Sequence, residues 1–123
     1  MSIDYNKEPS YHYDLGRQIK SLRKKGVLVI GSGNRVHNLR MVDWRNINTS
    51  GSGYGWANEA DQKMKKFILA RSQGRIFDLA IPTPEHYLPL LYVLGLKDSD
   101  ESVSLFNDNT LGGSLSMTSV KIG

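Results

Sequence analysis

Three histidines, no cysteine and a Gly-x-Gly run behind an apolar stretch are the features of this 123-residue chain that bear on chemistry. His37 stands in Asn34-Arg35-Val36-His37-Asn38, just past Val27-Leu28-Val29-Ile30-Gly31-Ser32-Gly33. Neutral imidazole is the commonest metal ligand, and amide neighbours such as Asn34 and Asn38 can fix its tautomer. Equally, a lone histidine can be structural. His86 follows Pro82-Thr83-Pro84-Glu85, a helix start with Thr as N-cap, proline at the first helical position and an acid in the first turn. The positive end of such a helix favours a neutral ring that can accept a proton, and an ordinary surface role is the plainer reading. His12, at the start of the first helix, is read as exposed or locally packed. Two histidines do not complete a catalytic metal site, because iron wants a carboxylate as well and zinc a third protein ligand. Asp43, Glu59 and Glu85 are candidates for that place, and no spacing singles one out. Gly31-Ser32-Gly33 falls short of a dinucleotide loop, since Val36 occupies the third glycine position, and it lacks the Lys-Ser/Thr pair of a phosphate loop. It reads as a tight turn, with nucleotide binding as a rival.

The elements that must position these residues follow from periodicity. Ser10 suits an N-cap, and Tyr11, Leu15, Ile19 and Leu22 then form one helical stripe closed by Arg23-Lys24-Lys25 and Gly26. Gly16 is tolerable in that helix if something packs closely against it. Val27–Ile30 shows no alternation and predicts a strand buried on both faces, as in a parallel sheet. Residues 46–55 are a loop by composition. Trp56, Ala60, Met64, Phe67, Ile68 and Arg71 predict a second helix ending near Gly74, followed by a short linker or extended piece from Ile76 to Ile81. A third helix is expected over Pro84–Leu94, kinked at Pro89. Ser102–Phe106 and Ser114–Ile122 read as strands, with turns at Asn107-Asp108-Asn109 and Gly112-Gly113. The expectation is a single domain over residues 1–123, an α/β fold with a mostly parallel sheet and flanking helices.

Composition narrows the function classes. Hydrophobic residues make up 39% and charged residues 23%, an ordinary globular balance. Without cysteine there is no disulfide, thiol nucleophile or thiolate metal site, which fits a cytoplasmic location. No apolar run reaches the ~18 residues of a membrane span, and no secretory signal is visible. The net charge of +4 comes from basic residues on the polar faces and ends of the helices, with no interleaved aromatic motif, so no nucleic-acid partner is expected.

Longer motifs carry a resemblance. Gly26-Val27-Leu28-Val29-Ile30-Gly31-Ser32-Gly33-Asn34-Arg35-Val36-His37-Asn38-Leu39-Arg40 resembles a signature of the DOPA-type extradiol aromatic ring-opening dioxygenases, a group within the class III extradiol enzymes. Pro82-Thr83-Pro84-Glu85-His86-Tyr87-Leu88-Pro89-Leu90-Leu91-Tyr92 resembles their second hallmark, and Gly113-Ser114-Leu115-Ser116-Met117 through Gly123 their C-terminal strand. The resemblance implies that His37 is a metal ligand and His86 an acid/base residue, with Asn34, Asn38 and Glu85 around them. It implies Fe(II), with Zn(II) also found in the family, and a catechol-type small molecule opened beside its two hydroxyls to a semialdehyde. The family's other two metal histidines lie on His-Gly-Ser-Pro and Ser-x-His-Trp motifs, and neither motif occurs here. Gly55 also replaces the proline usual before the tryptophan at position 56. The resemblance therefore covers the C-terminal half of such an enzyme, expected to be inactive alone and to join a separate N-terminal half or form a homo-oligomer. The alternative is a non-catalytic remnant or interaction subunit that keeps the fold.

Overall fold

The computed structural model describes residues 2–69 and 86–123. Among them lie three α-helices, α1 (Pro9–Ile19), α2 (Gly55–Leu69) and α3 (Leu88–Gly95), and four strands. The strands are β1 (Val103–Phe106), β2 (Thr110–Leu111), β3 (Leu115–Ser116) and β4 (Ser119–Ile122). They form two two-stranded sheets, β1 with β4 and β2 with β3, and the second is antiparallel in the register Thr110–Ser116 and Leu111–Leu115. The fold is thus mixed helix and sheet, and the expected mostly parallel sheet is not found among the described residues. No described helix is long and apolar enough to cross a membrane.

The chain divides into two compact units. The first comprises Met1–Gly33, Ile81–Ser102 and Ile122–Gly123. Here Pro9 opens α1 at its first position, where a missing N–H costs nothing. A 3₁₀ turn over Lys20–Lys25 prolongs it, and Gly26 ends it at φ 78°, a left-handed stop that favours glycine. The buried face differs from the expected stripe. His12 and Gly16 are buried, whereas Tyr11 is exposed. A Cβ on Gly16 would fall 2.5 Å from the Tyr92 carbonyl oxygen, and one on Gly95 2.3 Å from that of Tyr13. The two helices therefore meet backbone to backbone, which is why α1 tolerates a central glycine. Leu88, Leu91, Tyr92 and Leu96 complete this core.

Two expectations for this unit are corrected. Val27–Ile30 is not a strand; Leu28 and Ile30 are 82% and 80% exposed. An apolar run becomes a buried strand only when another strand pairs with it, and none among the described residues does. Pro89 is not in the interior of a helix either. The helix begins at Leu88, so Pro89 lies in its first turn, where no hydrogen bond is lost and no kink follows. The helix start expected at Thr83-Pro84-Glu85, the end of the second helix near Gly74 and the linker over 76–81 lie outside the described residues.

The second unit comprises Asn34–Ala80 and Val103–Lys121. The buried side of α2 is Ala57, Asp61, Met64 and Ile68, one residue out of phase with the expected stripe in its first half, and Trp56 is exposed. The 46–55 loop is held by Gly51 N–H donating to the Thr110 carbonyl at 2.9 Å and Tyr54 N–H to that of Gly113 at 2.6 Å. Asn107, at φ 49°, makes the expected turn after β1.

Candidate functional site

His37, half-buried, belongs to a short antiparallel ladder in the second unit. It bridges to Leu115. On one side Ser116 N–H donates to the Val36 carbonyl at 3.0 Å, and on the other Asn38 N–H donates to that of Ser114 at 3.3 Å. Side chains extend the ladder in both directions. Asn34 Nδ2 donates to the Ser116 carbonyl at 2.9 Å, and Ser114 Oγ to the Asn38 carbonyl at 2.9 Å. Asn38 Oδ1 accepts from Arg40 N–H at 3.2 Å, turning the chain into a 3₁₀ turn over Leu39–Met41. Asn34 and Asn38 thereby shape the segment that presents His37.

Beneath this segment lies a charge network that sequence reading missed. Arg35 Nη2 donates to Asp61 Oδ1 at 2.6 Å, with the two side chains only 4% and 3% exposed. Ser116 Oγ donates to the same oxygen at 2.5 Å, and Lys65 Nζ reaches Asp61 Oδ2 at 2.8 Å and Asp108 Oδ1 at 2.5 Å. Thr118 Oγ1 donates to Asp108 at 2.8 Å. Burial lowers the Arg35 guanidinium, and the Asp61 carboxylate opposes that shift. The Lys65 ammonium ends above its ordinary value, because hydrogen bonds to Asp108 and Asp61 outweigh its burial. Arg35 Nε and Nη1 are buried without a partner among the described residues. The available signal was an acid in phase with Ala57, Met64 and Ile68 on an otherwise apolar helix face.

His86, also half-buried, belongs to the first unit, two residues before α3. The helix start on which the first-turn dipole reading of His86 rests lies outside the described residues. Glu85 lies outside the described residues. His12 is buried rather than exposed: Nδ1 lies 3.0 Å from Tyr92 Oη and Nε2 3.3 Å from the Lys7 carbonyl. A carbonyl only accepts, so Nε2 donates to Lys7, and in the neutral ring Nδ1 accepts from the Tyr92 hydroxyl. That ring is a packing element of the core. Among the described residues no three His, Cys, Asp or Glu side chains gather into a metal-binding group. The described residues therefore do not by themselves fit a catalytic metal.

Comparison with known proteins decides the kinship. No protein-family model matches the chain. The 4,5-DOPA dioxygenase extradiol of Escherichia coli K12 is 39% identical over 136 aligned positions, covering 100% of this chain and 48% of that protein. The chain is a homologue of the extradiol 4,5-DOPA dioxygenases. Those of Beta vulgaris and Portulaca grandiflora are 26% and 29% identical, each over 98% of this chain and 47% of the relative. A crystal structure of an uncharacterized Escherichia coli K12 protein matches with a TM-score of 0.86 and 41% identity, over 99% of this chain and 53% of its own. The chain spans about half the length of the relatives it matches, consistent with the C-terminal half of a class III extradiol dioxygenase.

Proposed function

We propose that this chain serves as the C-terminal half of an extradiol ring-cleaving dioxygenase acting on a catechol such as DOPA. The observation that carries the reading is the 39% identity to a 4,5-DOPA dioxygenase along the entire chain. His37 supplies one imidazole ligand to a metal, Fe(II) or Zn(II), whose remaining ligands come from outside the described residues. His86 takes and returns a proton at a catechol hydroxyl. Asn34 and Asn38 hold the His37 segment in shape, and Glu85 stands beside His86 in sequence.

The partner in this reading is a polypeptide equivalent to the other half of the relatives, supplying strands that pair with Val27–Ile30. Three exposed apolar side chains there, Val27, Leu28 and Ile30, support it. Such pairing would also supply the mostly parallel sheet. With no cysteine to oxidise, the complex suits the cytoplasm. The rival reading, a non-catalytic subunit keeping the fold, draws on the absence of a three-residue metal-binding group among the described residues. The test mixes the chain with Fe(II) and DOPA, with and without the N-terminal half of the Escherichia coli relative, and follows the yellow semialdehyde. Product only in the mixture supports complementation, and none in either favours the non-catalytic subunit. Binding of a hydrophobic dye by the free chain, lost on adding the partner half, supports the proposed interface. A free chain that is monomeric and binds no dye contradicts it.

A further inference from the structure

Gly31-Ser32-Gly33 fits neither a nucleotide loop nor a turn after a strand, and its surroundings give it another role. A Cβ on Gly33 would fall 2.1 Å from the His86 carbonyl oxygen, 2.9 Å from its carbonyl carbon and 3.2 Å from its Cα. One on Gly31 would fall 2.6 Å from the Pro89 carbonyl oxygen and 3.0 Å from Val93 Cγ2. Neither glycine has a positive φ, so both positions need glycine for space and not for conformation. Gly31 and Gly33 thus present one bare strip of backbone to the stretch His86–Pro89. The obstructing atoms are main-chain atoms, which cannot swing aside as a flexible side chain would.

We propose that Gly33, helped by Gly31, is the positioning residue of His86: the side-chain-free strip is a seat that fixes the height of the His86 backbone and so the place of its imidazole. The inference rests on the reading of His86 as the acid/base group. Any Cβ at Gly33 must push the two backbones apart by about 1 Å, a misplacement that can reduce catalysis on the order of 10²-fold.

The chain has only three histidines, so its ring C–H signals can be resolved by NMR and assigned by substitution. In Gly33→Ala the His86 ring signal should move while that of His12, buried in the same unit, stays in place. Gly31→Ala should move His86 less, since it strikes Pro89, and Gly55→Ala, with no atom within 4 Å of its Cβ, should move nothing. A purely structural role would lower the melting temperature and leave His86 unmoved relative to His12, which overturns the proposal. If Gly33→Ala does not fold, Gly31→Ala carries the test, and an unmoved His86 signal overturns the proposal there too. In the mixture of halves, Gly33→Ala should lower kcat about 10²-fold with little change in KM. If His86→Gln keeps full turnover while Gly33→Ala still moves the His86 signal, the catalytic reading fails and the seat stands. If His86→Gln abolishes turnover and Gly33→Ala changes neither signal nor kcat, the seat fails and the reading stands.

Discussion

Replacing Asp61 by alanine should be among the most damaging single changes in the second unit. Its Oδ1 takes hydrogen bonds from Arg35 Nη2 at 2.6 Å and Ser116 Oγ at 2.5 Å, and its Oδ2 pairs with Lys65 at 2.8 Å. Lys65 keeps Asp108 when Asp61 is gone, so the charge left alone is Arg35, 4% exposed. Stranding one partner of a buried ion pair costs about 3–5 kcal/mol, against a total stability of roughly 6–18 kcal/mol for a chain of this size. Asp61→Asn keeps an oxygen for Ser116 and should cost less, about 1–3 kcal/mol. Because most of the penalty is the stranded guanidinium, Arg35→Met combined with Asp61→Ala should be much less harmful than the two single changes added together. Urea denaturation followed by far-ultraviolet circular dichroism measures the parent, the three single variants and the double variant. Amide exchange at Asn38 and Ser116, whose N–H groups hold the ladder, should quicken in Asp61→Ala, since the network braces it. The reasoning is refuted if Asp61→Ala stays within about 0.5 kcal/mol of the parent, or if the double variant is additive to within that margin.

Three further outcomes follow. Arg23, through a two-pronged hydrogen bond, together with the Asp98 N–H, holds the Glu101 carboxyl down at about 2. Since the folded value lies below the ordinary 4.5, this stabilisation is complete above that pH and fades as pH falls toward 2. Glu101→Gln should therefore flatten the melting temperature profile in that window and leave its shape above pH 5 unchanged. His12→Phe strands the Tyr92 hydroxyl, whose pKa burial already raises, and should lower stability by about 1–3 kcal/mol. Adding Tyr92→Phe should recover part of that loss in thermal unfolding. Gly16→Ala would ordinarily gain up to about 1 kcal/mol in a helix, but its Cβ would meet the Tyr92 carbonyl oxygen at 2.5 Å. A net loss of about 1–3 kcal/mol by calorimetry is expected, and a gain would show that the helices separate freely.

Local signals are the legible part of this fold. Proline and glycine punctuation around α1, and the turn residues between β1 and β2, act within a few residues and survive whatever surrounds them. Motif likeness places the chain with the extradiol dioxygenases and singles out His37 and His86. Burial is less legible, because it depends on what arrives from elsewhere. The run Val27–Ile30 announces an apolar surface but not the strand that would cover it. His12 resembles a surface residue until Tyr92 supplies a donor 80 positions away. Asp61 resembles a solvated acid until Arg35, 26 positions earlier, supplies its countercharge. Pro89 reads as a kink only while the helix is started at Pro84; a start at Leu88 makes it a harmless first-turn proline.

The most direct test of the proposed function is ring opening of DOPA in the presence of Fe(II) by an equimolar mixture of this chain and the N-terminal half of the Escherichia coli relative. The expected result is semialdehyde formation that neither half supports alone, abolished by His37→Ala and reduced by orders of magnitude in His86→Gln. Turnover that persists undiminished in His37→Ala, or a well-associated mixture that forms no product, would contradict it.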